Sequence, residues 1–558
     1  MSRNEYWAKP KIVREQALMF APTLDDVISE DHEVRLLDEV LRGFDWSEWE
    51  AHYDGWRGQP PIHPRVLASI WLYALMRRKR SSRPVEYACG HNVDFMWLAE
   101  GLVPDHSTLA DFFSKFRQEL KSLFKKVGRF AMTMGLIRLG EIAFDGTRSK
   151  ASNSRYRTLT AATIEERLPQ LEEQIERLLS EVAAAEAAAA EADSAPVTKL
   201  PGELADRTAR RDKLKQALAI AKTLDETRRA SGVEVAKNPA QVPMTDLDSR
   251  VMPNKEGGYA PNYTPTCLTD GHRGFILDAA VLNLVNEHSE ALPAVDRVTE
   301  ECDETPDNFL ADGGMATGPI LDGLETREIT AYIPAKSSEP AVDSPVLRDD
   351  LTQPVAEELW PKLPKNPQGQ LDKSCFVYVA ARNEYVCPNG RVLSYESRET
   401  RNGVVLNRYV CESCAGCPLA ALCLLPRRVP PGSADDSAGD GAAIHDVIAT
   451  GARVRSLRRD EHEEVRQRTA ARMATESGRA LFDRRSAIAE TPFGYLKGFL
   501  NLRQFLHRGL EKVDHEWRWG CLSLNMKKLV RALARWRAMC REALMSELAE
   551  ADLSRLPA

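Results

Sequence analysis

The 558-residue chain contains no run of about 18 apolar residues, the length a membrane-spanning helix needs; its longest candidate, around Val66 to Met76, is too short. Its first ten residues, Met1 to Pro10, are polar and lack the basic, apolar and cleavage-site succession of a secretory leader. Cysteines number only 11, too few for the disulfide framework of a secreted scaffold, so they read as reduced thiols or metal ligands. These absences predict a cytoplasmic protein with no membrane partner. An excess of positive charge is also missing. The formal net charge of −7 weighs against nucleic acid as a partner until its local distribution is considered.

What is present is the composition of a folded protein, 43% hydrophobic and 28% charged. The length exceeds one ordinary core and predicts about two to four domains or large insertions. Residues 451–545 hold 21 Lys and Arg against 11 Asp and Glu, a local balance of 21 − 11 = +10. Arg77-Arg78-Lys79-Arg80, followed by Arg83, is a second basic cluster. Such surfaces suit phosphate contact; a solvated helix face is the plainer alternative for either.

Apolar spacing predicts helices from about 20 to 135, through Leu36, Leu37, Val40 and Leu41 and through Val66, Ile70, Tyr73 and Ala74. Pro84 suits the first turn of one helix, and Ser107 or Thr108 the cap of another running Leu109 to Leu123. The basic corner at 77–83 fits a helix-turn-helix-like DNA reader or a plain packing bundle. From Ile164 a 4-3-4-3-4 rhythm through Leu168, Leu171, Ile175, Leu178 and Val182 predicts a coiled-coil seam, continuous from near Pro169. A second helix with Leu204, Leu214, Leu218 and Leu224 returns antiparallel; the arm suits dimerisation or DNA contact, and its acidic, alanine-rich first half favours dimerisation or spacing. Tyr263 to Leu268 and Phe275 to Leu284 read as a hairpin whose turn contains Asp270, a turn former rather than a ligand. Pro426 to Asp446 reads as a mobile loop, and the last ~100 residues return to helix around Trp517, Trp519, Leu522, Leu524 and Leu529.

Glu141-Ile-Ala-Phe-Asp-Gly-Thr147 ends a β-prone run on a carboxylate, with a glycine that lets the backbone turn. Phe309-Leu-Ala-Asp-Gly-Gly314 repeats the design. A third acid, Glu490, stands in Arg485-Ser-Ala-Ile-Ala-Glu-Thr-Pro-Phe-Gly-Tyr-Leu-Lys497, with the lysine two helical turns on and on one face. Asp145, Asp312 and Glu490 together suit a two-metal phosphoryl-transfer centre, because hard divalent cations take a few carboxylates each and leave room for phosphate and water. Arg485 and Lys497 then hold a DNA backbone beside the metals. Taken singly, each acid is more often a turn former or a surface ion pair.

These words resemble the bacterial insertion-sequence transposases of the DDE superfamily. Phe144-Asp145-Gly146-Thr147 and Leu310 to Gly314 match the family's two aspartate words. Phe482-Asp-Arg-Arg485, Glu490, Phe493-Gly494, Lys497, Arg503-Gln-Phe505 and His507-Arg508-Gly509 match its glutamate signature. Phe482 stands where the family carries tyrosine and Met315 where an aromatic is common, so neither receives a role. His63-Pro64, Ser82-Arg83, Glu86 and Pro104-Asp-His-Ser-Thr108 are similar to the family's N-terminal domain. The resemblance implies an α/β fold with an RNase H-like mixed sheet flanked by helices. Its expected parts are a helical DNA-binding or dimerisation domain over 1–135 and a catalytic domain over 136–558. The latter is interrupted by a helical-hairpin insertion at 160–235 and a cysteine-rich insertion with a flexible loop at 365–447. It further implies binding of double-stranded DNA at the terminal inverted repeats of a mobile element. The DNA-binding candidates are Arg77, Arg78, Arg80, Arg83, Arg485, Lys497, Arg503 and Arg508. Cleavage and 3′-hydroxyl strand transfer supported by Mg²⁺ or Mn²⁺ follow, by a nucleoid-associated homodimer. A metal-dependent nuclease without strand transfer and a non-catalytic DNA-binding scaffold are the alternatives.

Cys387-Pro-Asn-Gly390 is followed by Cys411-Glu-Ser-Cys414-Ala-Gly-Cys417 and Cys423. The spacing suits a structural Zn²⁺ site at Cys387, Cys414, Cys417 and Cys423, with Cys411 spare; a reduced, metal-free cluster is the alternative. Cys89, Cys267, Cys302, Cys375, Cys521 and Cys540 are isolated and read as buried small apolar residues.

Overall fold

The computed structural model describes residues 23–53, 60–154, 156–191, 200–254, 257–336, 338–340, 343–401, 404–412, 414–424, 446–447 and 453–553. Eight helices come first: α1 (Leu24–Val27), α2 (Glu33–Arg42), α3 (Ser47–Glu50), α4 (Pro64–Met76), α5 (Ser82–His91), α6 (Val93–Leu98), α7 (His106–Lys115) and α8 (Arg117–Thr133). α4 is apolar around its whole circumference and is buried along its whole length, the expected fate of such a helix. Its start is fixed by Pro64 in the first turn and by the His63 ring, which accepts from the Arg65 amide at 3.1 Å. The cap of α7 is Asp105, not Ser107 or Thr108: its carboxylate accepts from the Thr108 amide at 2.8 Å. The helix expected to run on to Leu123 breaks at Phe116, whose buried ring packs on Trp49.

The main sheet runs β7–β6–β1–β8–β9 in space, formed by β1 (Glu141–Gly146), β6 (Tyr259–Asp270), β7 (Ile276–Leu282), β8 (Asn308–Leu310) and β9 (Thr330–Tyr332). β1 is parallel to β8, and β8 to β9; β6 is antiparallel to both β1 and β7. The other end of the long β6 carries the short β2 (Ser149–Lys150) and β5 (Arg250–Pro253). Asp270 ends β6 as a turn former, accepting from the amides of Arg138, Leu139, His272 and Arg273. Helices α11 (His288–Cys302) and α12 (Gly318–Thr326) connect β7 to β8 and β8 to β9.

Between β2 and β5 the chain leaves through β3 (Thr158–Leu159), climbs α9 (Ala161–Glu191), descends α10 (Leu200–Ala230) and returns through β4 (Val242–Pro243), which pairs with β3. Ion pairs Glu172–Lys215 and Glu165–Lys222 fix the two helices antiparallel. Ile164, Leu171, Ile175, Leu214, Ala217 and Ala221 form the buried seam. α9 begins before Pro169 rather than at it, because Thr160 caps it and Pro169 sits inside an exposed stretch of the first turns.

A second sheet of β10 (Val377–Val379), β11 (Glu384–Val386), β12 (Val392–Arg401) and β13 (Val404–Cys411) continues past β14 (Asp446–Val447) and β15 (Arg453–Val454), which pair with each other, to β16 (Ser456–Asp460) on β13. Its separate apolar core includes Val346 and Val355, so this unit is wider than 365–447. Within it α13 (Ala420–Cys423) carries the last cysteine. The loop expected over 426–446 lies outside the described residues, save for Asp446.

The chain then forms α14 (Glu463–Ala474), α15 (Glu476–Asp483), α16 (Arg485–Phe493) and the long α17 (Leu510–Leu553). α17 fills the space between the first eight helices and the sheet, so the helical region and the sheet share one continuous core. Trp519 stacks on Phe113 of α7, and the Trp517 indole donates to the Thr266 carbonyl of β6 at 3.0 Å. Each indole buries on the order of 200 Å², about 5 kcal/mol of transfer free energy at ~25 cal/mol per Å².

Candidate active site

β1 and β8 are neighbours in parallel register, with Ala143 opposite Leu310. Asp145 lies near the end of β1 and Asp312 two residues past the end of β8, so both leave the same end of the sheet, close enough for the Asp312 charge to act on Asp145. The Asp145 carboxylate accepts from the Gly146 amide at 2.8 Å, and Asp312 caps a short turn by accepting from Gly314 at 3.0 Å. Burial pushes the Asp145 carboxyl up to about 6; the Gly146 amide and the Arg485 guanidinium oppose this, while the charges of Asp312 and Glu287 reinforce it.

Glu287, at the start of α11, is the residue that sequence reasoning missed. It packs so close to β1 that a Cβ on residue 146 would lie 3.0 Å from its carboxyl carbon, so any larger residue there would require the Glu287 side chain to shift. It occupies the cap position of α11 yet makes no side-chain cap bond, which leaves its carboxylate available to the site. Its sequence context, Val285-Asn-Glu-His288, carries no glycine or strand-end signal that could have singled it out.

The third acid arrives on α16. Ile488 and Ala489 bury against Ala143 and Leu310, so the helix is seated on the same two strands that carry the aspartates. The Glu490 side chain is 61% exposed, and it lies along its own helix: the Ser486 hydroxyl donates to it at 3.2 Å and Arg485 stands 3.7 Å away. Arg485 is itself largely buried and acts on both Glu490 and Asp145, so it belongs to the acid site rather than to an open DNA surface. Among the described residues, no three His, Cys, Asp or Glu side chains are already gathered into a metal-holding cluster. The donor chemistry nevertheless fits a hard cation: the charges of Asp312 and Glu287 act on the partly buried Asp145 carboxylate, where added positive charge relieves it.

Lys497 departs from its expected position. After α16 the backbone enters a π turn, Gly494–Phe499, in which each turn holds more residues than in an α-helix. The seven-residue spacing therefore no longer keeps Lys497 on the face of Glu490. Its ammonium instead donates to the Thr147 hydroxyl at 2.8 Å and the Arg148 carbonyl at 2.7 Å, tying the end of β1.

Residues 22–129 match the family described as Transposase domain (DUF772), and residues 386–530 match the Transposase DDE domain. The two matches, to separate parts of the chain, support an insertion-sequence DDE transposase. The second match includes Glu490 and the cysteines, while Asp145 and Asp312 lie before it. No curated protein and no solved structure matches the chain.

The remaining basic positions of the chain divide by exposure. Arg503 and Arg508 are exposed, with Arg508 donating to the Ser152 carbonyl at 3.0 Å. Arg83 is exposed on α5. Arg77 is held by the Tyr73 hydroxyl and Glu33, and the Arg78 guanidinium lies 4.2 Å over the Phe499 ring. Arg80 reaches the Gln504 carbonyl at 2.9 Å and pairs with Glu516 at 2.7 Å, where both side chains are mostly buried. Those three residues of the corner thus brace the helical region or dock it on the 499–516 segment.

In the second sheet unit, Cys387, Cys411, Cys414, Cys417 and Cys423 line one small pocket. The amides of Arg391 and Arg455 donate to the sulfurs of Cys387 and Cys414 at 3.3 and 3.4 Å. The Cys411 thiol bonded to Cys414, helped by the Arg455 amide and the Arg391 and Arg455 guanidinium groups, draws the Cys414 thiol down to about 6 against the effect of burial. Burial pushes the Cys423 thiol up to about 12. Of the isolated cysteines, Cys89, Cys267, Cys375 and Cys521 are buried as expected and Cys302 is partly so. Cys540 is exposed, since it lies on the solvent side of α17 beyond the core.

Proposed function

We propose that the transposase binds double-stranded DNA at the terminal inverted repeats of an insertion sequence, cuts it, and joins the freed 3′-hydroxyl to target DNA. The observation that carries this reading is the parallel pairing of β1 with β8, with Asp145 near the end of one and Asp312 just past the end of the other, and the Glu490 helix packed on those same strands. In this reading the sheet is an RNase H-like core, with the helical region over 1–135 and the catalytic region from 136 onward. Asp145, Asp312 and Glu490 hold Mg²⁺ or Mn²⁺, with Glu490 swinging off Ser486 to join them. Bound there, the ions polarise the attacking and departing oxygens of the phosphodiester. Arg485 holds the glutamate and offsets the charge gathered around Asp145. Lys497 keeps the end of β1 in place, and Arg83, Arg503 and Arg508 contact phosphates from the surface. Two element ends must meet, so two copies act together, and the hairpin spans 160–235. A structural Zn²⁺ at Cys387, Cys414, Cys417 and Cys423 holds the second sheet unit, away from the chemistry.

The test uses linear duplex DNA taken from immediately outside the coding region, incubated with purified protein and Mg²⁺. Nicking at a fixed position and joining of a pre-cut 3′-hydroxyl end are expected, and both vanish in Asp145→Asn while binding persists. Cutting that never leads to joining would favour the nuclease; binding without either would favour the scaffold.

A further inference from the structure

Where the hairpin leaves the sheet, a cleft of about 780 Å³ opens between residues 156–159 and the roots of α9 and α10. Its charged lining has one sign: Arg157, Arg167, Arg210 and Lys213, with no carboxylate among the lining residues. Four acids of the hairpin are engaged elsewhere, Glu165 and Glu172 with Lys222 and Lys215, Glu173 with Arg177, and Asp212 with Arg211. Among the described residues no hydrogen bond or ion pair occupies the guanidinium groups of Arg157, Arg167 or Arg210, and all three are exposed. Gln170 and Gln174 add amides to the α9 wall, and the Tyr156 ring, 81% exposed, stands at the rim.

Four unneutralised cations around one concavity repel one another, and a polyanion that follows the groove relieves that repulsion. Arginine forks take phosphate oxygens in pairs, so three of the four cations are of the type suited to a phosphodiester backbone. The cleft is also connected to the acid site. From Asp145 the chain runs through Arg148 and Lys150 to Arg157, and Arg508 lies across it at Ser152. Twelve residues span at most about 40 Å, so the cleft lies no further from Asp145 than a little over one turn of duplex, roughly 34 Å.

We propose that this cleft grips the sugar-phosphate backbone of the DNA duplex about one helical turn from the scissile link, setting the position of the cut without reading bases. The hairpin, whose sequence suits dimerisation or DNA contact and favours dimerisation or spacing, is on this inference a DNA clamp at its root. The inference rests on the transposase reading of the acid site.

The experiment compares full-length wild type with Arg167→Gln/Arg210→Gln/Lys213→Gln, and with Lys215→Gln/Lys222→Gln, which removes paired lysines of the same hairpin. The probe is a duplex of about 60 base pairs from immediately outside the coding region. Anisotropy titrations run from low to moderate salt, and hydroxyl-radical footprints accompany them. The triple variant is expected to bind about tenfold or more weaker, with its log–log salt slope shallower by about 3, near 0.9 for each phosphate left unneutralised. Its footprint should shrink about one turn from the cut, while the double variant matches wild type. Equal slopes and footprints for wild type and triple variant would overturn the clamp. So would a triple variant that loses only self-association, which would make the cleft a contact between copies. Wild type that keeps the footprint but never nicks would sink the catalytic reading and leave the clamp standing.

Discussion

Replacing Asp145 with asparagine is expected to stabilise the protein while destroying its chemistry. In the folded chain the Asp145 carboxyl is raised from the ordinary 3.8 to about 6. A group raised on folding contributes stability that is fully present below its unfolded value and lost as the pH climbs through its folded value. At neutral pH the ionised Asp145 is therefore a burden. At 1.36 kcal/mol per tenfold change in proton affinity, the burden is up to about 3 kcal/mol at pH 7 and about 1.5 kcal/mol at pH 5. Asparagine keeps the shape and an acceptor for the Gly146 amide without the charge. Urea unfolding in EDTA, followed between pH 5 and 7.5, checks the magnitude. Asp145→Asn should unfold at higher urea than wild type, with a margin that widens as pH rises. Added Mg²⁺ should narrow the margin by stabilising wild type alone. A variant no more stable than wild type at pH 7, or a margin indifferent to pH, would refute the reasoning.

Arg80→Ala strands the Glu516 carboxylate, 5% exposed, with the Leu506 and His507 donors still in place. It should cost about 3 kcal/mol in urea unfolding, whereas Arg83→Ala should stay within about 0.5 kcal/mol. Lys497→Met unties Thr147 and Arg148; nicking should fall at least tenfold while duplex affinity measured by anisotropy changes less than about twofold, the pattern of a positioning residue. Purified protein should carry one Zn²⁺ per chain by elemental analysis, lost in Cys417→Ser and kept in Cys411→Ser.

Local signals were legible wherever one segment decides its own structure. The apolar run ending Phe144-Asp145-Gly146 declares a strand and its end, and Leu36 to Leu41 declare a buried helix face. The hairpin seam was legible because its period needs only one partner helix. What could not be read depends on neighbours far away in sequence. Arg80 looks like free positive charge until Glu516 meets it, 436 residues on. Lys497 shares a face with Glu490 only if the helix stays α, and the spacing in the sequence does not reveal the π turn. Glu287 reaches the site through the β7 to α11 connection, where nothing local marks a ligand. The parallel pairing of β1 with β8 that brings the two aspartates to one end of the sheet is likewise a tertiary fact.

The excursion between β2 and β5 begins and ends beside the same residue, since Lys150 and Arg250 both pair with Asn262 of β6, and the β3–β4 rung shuts the exit behind it. The hairpin is thus a pendant on a closed clasp. Whole turns can be spliced into or out of its far end, by natural drift or by an engineer, without shifting the floor on which the aspartates stand. Reach and chemistry can evolve separately in this architecture.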